Sequence, residues 1–89
     1  MDLDTKLSIP PQVMSRLVED ETVVLDLESG MYFGIEGTGK RIWELVAEGH
    51  SLREIVGIII AEYEADEADV ERDVLSFTNE LVDRGLLTK

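Results

Sequence analysis

The sequence predicts an α+β fold of winged helix-turn-helix type, with a three-stranded antiparallel sheet followed by three helices. Three observations lead there. β-Branched and aromatic residues gather between Val13 and Glu36, apolar residues recur at helical spacing from Lys40 onward, and capping signals stand at Ser51 and Asp66. With 89 residues the chain has room for one domain with one core.

The elements follow in order. Met1 to Ser8 reads as a loose arm, and Pro10-Pro11 hold the next stretch extended and resist helix or central strand. Residues 1–12 are therefore expected as a flexible arm and residues 13–89 as the domain. A first strand at about Ser15–Val18 and a second at about Thr22–Leu27 flank the polar turn Glu19-Asp20-Glu21. Glu28-Ser29-Gly30 is the next turn, and a third strand follows at about Met31–Ile35. Alternation groups Val23, Leu25 and Leu27 on one face against Val24 and Asp26 on the other, which leaves one face for a core. A first helix spans Lys40–Glu48 and stops at Gly49. Ser51 and Glu54 form a capping box at the head of a second helix that carries Ile55, Ile58 and Ile59. Asp66 caps a third helix running to about Arg84, with Glu67, Asp69 and Glu71 near its positive end.

Charge narrows the function. Twenty acidic against eight basic residues give a net charge of −12, while 44% of the residues are hydrophobic, so the chain is charged yet foldable. Nucleic acid and anionic membranes are unsuited partners, because both are bound through Lys and Arg. The would-be recognition helix makes the point locally: between Asp66 and Gly85 it carries seven acids against Arg72 and Arg84. The N-terminus is acidic where a signal peptide is basic, and the longest apolar run, Ile58-Ile59-Ile60-Ala61, is too short to span a bilayer, so a cytoplasmic protein is expected.

Catalytic and metal chemistry find few residues. There is no cysteine, and His50 is the single histidine, in a loop beside the cap Ser51. No calcium loop and no Gly-x-Ser-x-Gly turn occurs, and Gly37-Thr38-Gly39-Lys40 lacks phosphate-loop spacing. The abundant carboxylates fall on helix surfaces, where a solvated face explains them. Ser51 stands in His50-Ser51-Leu52, not the Asp-Ser-Leu of an acyl carrier, and its capping box accounts for it. No enzyme, metal or cofactor is expected.

The third helix carries one further pattern. At about 100° per residue, Val70, Val74, Phe77 and Leu81 form a core stripe, and Leu75, Thr78 and Val82, flanked by Glu71, form a second stripe about 100° round from it. Two readings stand for the second stripe. It is a broader core contact, or it is one wall of a groove whose other wall is the third strand, an open sheet edge to which an extended peptide adds itself.

Several of these segments resemble the signature of PqqD-like proteins. They are Val23-Val24-Leu25-Asp26-Leu27-Glu28-Ser29-Gly30-Met31-Tyr32-Phe33-Gly34-Ile35, then Ile42-Trp43-Glu44-Leu45, Gly49-His50-Ser51-Leu52, and Asp73-Val74 through Arg84-Gly85-Leu86-Leu87. The likeness covers about Val13 to Leu87 and is greatest to the stand-alone proteins of lasso-peptide gene clusters. The resemblance implies a non-catalytic module that binds the leader segment of a ribosomally made precursor peptide. It also implies a partner enzyme: a leader peptidase in lasso systems, a radical S-adenosylmethionine enzyme in pyrroloquinoline quinone synthesis. In that family the leader adds a strand to the third β-strand and packs on the third helix. The corresponding residues are Met31, Tyr32, Phe33, Gly34 and Ile35 on the strand, with Glu71, Leu75, Thr78 and Val82 on the helix. An open strand edge of this kind also offers a surface for a homodimer.

Overall fold

The computed structural model describes residues 1–89 and has the expected order of elements. Strands β1 (Val13–Val18), β2 (Glu21–Asp26) and β3 (Tyr32–Ile35) precede helices α1 (Thr38–Ala47), α2 (Leu52–Tyr63) and α3 (Glu67–Asp83). The sheet is antiparallel in the order β1-β2-β3, so β3 is an edge strand. Val18 pairs with Glu21 across the two-residue turn Glu19-Asp20, and Glu19 adopts a positive φ of 57° there.

Which face of the sheet is buried follows from β3. Ile35 is buried and leads into α1, and the register sets Thr22 opposite Ile35 and Val24 opposite Phe33. Because successive side chains alternate, fixing Ile35 inward fixes Thr22 and Val24 inward as well. Both are buried, with Val13 completing the inner row from β1. The apolar set Val23, Leu25 and Leu27 consequently looks away from the core, with Leu27 exposed. The helices supply the rest of the interior through Ile42, Trp43, Leu45, Leu52, Ile55 and Ile59.

Gly37 connects sheet to helix. At φ 63° and ψ −139° it occupies backbone space open essentially to glycine alone. An added Cβ there would meet no atom within 4 Å, so the penalty for a side chain is purely conformational. Gly37→Ala should destabilise the fold by about 1–3 kcal/mol, read as a lower denaturant midpoint at unchanged m-value.

The N-terminal segment departs from the loose arm that its sequence suggests. Leu7 is buried, Leu3 and Ile9 pack on the core, and Ser8 and Thr88 exchange two main-chain hydrogen bonds of 2.7 and 2.9 Å. The physical reason lies at the start of α2, where helix-end N–H groups lack internal partners. The Thr5 and Leu3 carbonyls accept from the Leu52 and Arg53 N–H groups at 3.0 and 2.7 Å. Ser51 Oγ accepts from the Glu54 N–H at 3.2 Å, and the Glu54 carboxylate accepts from the Ser51 N–H at 2.8 Å. The capping box is thus present, and the arm completes it.

Two carboxylates tie the helices to pH. The Ser51 N–H hydrogen bond holds the Glu54 carboxyl below its ordinary value, and the Arg41 guanidinium does the same for Glu62 through bonds of 2.9 and 2.7 Å between α1 and α2. A lowered folded-state pKa means stability that is present above the unfolded value and lost as pH falls through the folded one. Glu54→Gln and Glu62→Gln should each flatten the decline of thermal stability below about pH 4.5, measured by melting across pH.

Candidate peptide-binding site

β3 presents an unpaired edge, and the hydrogen-bond phase identifies which groups are free. The Asp26 N–H donates to the Met31 carbonyl at 2.9 Å, so Met31 turns its carbonyl toward β2 while its N–H donates to Ser29 Oγ. Alternation sends the main-chain groups of Phe33 and Ile35 the same way, and turns the N–H and C=O of Tyr32 and Gly34 toward the open side. Their spacing of two residues is that needed to accept another strand. Gly34 has no side chain to hold a partner off, and the Glu21 carboxylate lies across it on the outer face.

Side chains of β3, of α3 and of the α3 C-cap meet beside this edge. Phe33 and Phe77 are half-buried against the core. The Phe77 ring and Ile35 Cγ2 converge on Gly39, where an added Cβ would lie 3.0 Å from the ring and 3.1 Å from the methyl group. One and two turns away, the Arg84 guanidinium sits 5.1 Å from the centroid of Phe33 and bonds Glu80 at 3.1 Å. This cation–π contact is made to a residue of the edge strand itself.

Of the residues expected at the site, the structure brings Met31, Tyr32, Phe33, Gly34 and Ile35 together along this edge, with Tyr32 exposed and Ile35 buried. The expected helical stripe is not beside them. Thr78 is fully buried, and its hydroxyl donates to the Val74 carbonyl at 2.7 Å. Val82 lines a separate cavity of about 590 Å³ with Pro10, Pro11 and Leu87. Leu75, packed on the core, and Glu71 are half-buried on that same flank.

The reason is a rotation of the buried sector. Val70, Val74, Thr78 and Leu81 are the buried residues of α3, so the sector lies between the two stripes read from the sequence. Phe77 then falls at one rim, about 55° from its centre, and Leu75 and Val82 fall beyond the opposite rim. Phe77 and the C-cap Arg84 are the residues beside β3 that the second stripe does not include. The signal available for them was the single aromatic in the core stripe and a cation two turns after it.

Ser51 and His50 have structural surroundings. Ser51 is engaged as the α2 cap, and His50 stands 3.6 and 3.7 Å from the Glu48 and Glu54 carboxylates at the surface. No helix is long and apolar enough to cross a membrane.

With this geometry in place, the likenesses to known proteins are informative. Residues 21–87 match the family described as Coenzyme PQQ synthesis protein D (PqqD). The fold superimposes on TbiB1 in complex with the TbiA(beta) leader peptide with a TM-score of 0.86 and 44% sequence identity, covering 90% of this chain and 93% of that one. It also superimposes on lasso peptide synthetase B1 complexed with its leader peptide, at a TM-score of 0.89 and 25% identity, covering 96% and 100% of the two chains. No curated protein matches. The family match spans most of the sequence and the likeness to TbiB1 most of both chains, and the chain belongs to the PqqD family.

Proposed function

We propose that the protein is a non-catalytic recognition element that binds the leader segment of a ribosomally made precursor peptide as a fourth strand on β3. The observation that carries this reading is the open edge of β3, with Tyr32 and Gly34 turned outward beside Phe33, Phe77 and Arg84. Two similar proteins have been solved with leader peptides, which supports a leader as the occupant. Bound in this way, the leader gains main-chain hydrogen bonds from β3 and apolar contact from the aromatic rings. The core peptide is left free for a separate enzyme. A lasso leader peptidase is the favoured partner, since one of the similar structures is a lasso peptide synthetase B1. A radical S-adenosylmethionine enzyme is the alternative partner within the family.

The acidic α3 argues against duplex DNA as the occupant. Titration of a fluorescently labelled leader peptide from a precursor encoded beside this gene should give saturable one-to-one binding. The absence of binding to any such leader would remove the reading.

A further inference from the structure

The outward face of the sheet is apolar at its centre and is covered by nothing in the fold. The register places Met14, Leu25 and Tyr32 in one row across all three strands, with Arg16, Val23 and Gly34 in the next row and Val18 at the hairpin end. Met14 is 58% exposed and Tyr32 73%, and Met14, Val23 and Leu25 border a concavity of about 510 Å³. Core formation does not explain these residues, because the sheet buries its other face.

Two further features indicate what covers it. The row ends at Tyr32, whose main-chain groups turn to the open edge, so a strand added there would contribute the fourth member of the same row. The surface is thus continuous with the proposed leader site. Its border at the hairpin end is acidic, with Glu19, Asp20, Glu21 and Glu36 gathered there around Val18. Two copies of a chain of net charge −12 repel one another at long range, which disfavours self-association. An apolar patch bordered by Lys and Arg complements it.

We propose that this outward face docks the leader-processing enzyme, through an apolar patch on that enzyme bordered by basic residues. The inference rests on the leader-binding reading above, and it places enzyme and leader on adjoining parts of one four-stranded surface. The enzyme would then recognise the adaptor and the ordered leader together.

Met14→Lys with Val18→Lys tests it. Both side chains are exposed and lie on β1, two strands from the leader edge, or about 10 Å. The probes are the labelled leader and the purified leader peptidase encoded in the same gene cluster. The double variant should bind leader within about twofold of the parent, since the sites are separate. Its affinity for the peptidase should fall by at least about tenfold, as for loss of a central apolar contact. Thermal melting verifies folding, and Met14→Lys alone serves if the pair does not fold. Unchanged peptidase affinity with leader binding intact overturns the docking inference alone. So does sedimentation of the parent as a dimer that the substitutions dissociate. Failure of the parent to bind leader instead removes the reading beneath it.

Discussion

Tyr32→Pro should lower leader affinity by about tenfold or more while leaving the fold nearly as stable as before. The Tyr32 N–H turns to the open edge of β3, away from β2, so proline at this position removes no hydrogen bond of the existing sheet. Position 32 is also the first residue of the strand, where proline is tolerated. A bound peptide would lose a donor and leave its own carbonyl unsatisfied in a partly desolvated cleft, at a cost of about 1–3 kcal/mol. Tyr32→Ala separates side chain from backbone. The tyrosine ring stands on the outer face, exposed, so the alanine variant should retain most of the leader affinity. Equal losses for both variants would mean that the ring, and not the strand edge, holds the peptide.

The second large effect belongs to Phe77. Phe77→Ala should weaken leader binding by about tenfold, as for loss of an aromatic contact at the centre of an interface. It should also destabilise the fold by about 2–3 kcal/mol, below the usual cost for a fully buried phenylalanine because the ring is only half-buried. Arg84→Ala is the companion that spares the core: its guanidinium is exposed, and it loses only the contact over Phe33 and the bond to Glu80. Leu75→Lys serves as the contrast. It lies on the far flank of α3, so it should reduce stability while the folded protein binds leader within about threefold of the parent. If Leu75→Lys weakened binding more than Phe77→Ala, the assignment of the helix wall would be reversed.

These two residues also show where the sequence is legible and where it is not. Local signals read well. Ser51 with Glu54 and Asp66 with the Ala68 N–H are caps whose partners lie two or three residues away, and the strand pattern located β1, β2 and β3 to within two residues. What depends on distant partners did not read as well. The phase of α3 against the sheet is set by the burial of Thr78, whose hydroxyl is satisfied within its own helix and so enters the core at little cost. Nothing in a hydrophobic periodicity marks a threonine for that role, and the resulting rotation leaves Phe77 and Arg84 beside β3, with Val82 against Pro10, Pro11 and Leu87.

The N-terminal arm is the same lesson in another form. Pro10-Pro11 truly exclude helix and central strand, but exclusion from regular structure is not freedom. Leu3 and Thr5 find their purpose as acceptors for α2, some 47 residues downstream in the case of Thr5 and Leu52. The outer face of the sheet was legible as a set, Val23, Leu25 and Leu27, and only the register with Ile35 reveals that it faces outward. An apolar set on the outside is a functional signal that alternation alone cannot distinguish from a core.

Strand addition at β3 is the central claim, and amide hydrogen exchange tests it residue by residue. In the free protein the Tyr32 and Gly34 amides face solvent, while the Phe33 and Ile35 amides are held by β2. On saturation with leader peptide, exchange at Tyr32 and Gly34 should slow by about tenfold or more, with a smaller change at Phe33 and Ile35. Protection confined to α3 or to the outer face, with Tyr32 and Gly34 still exchanging at their free rates, would contradict the account.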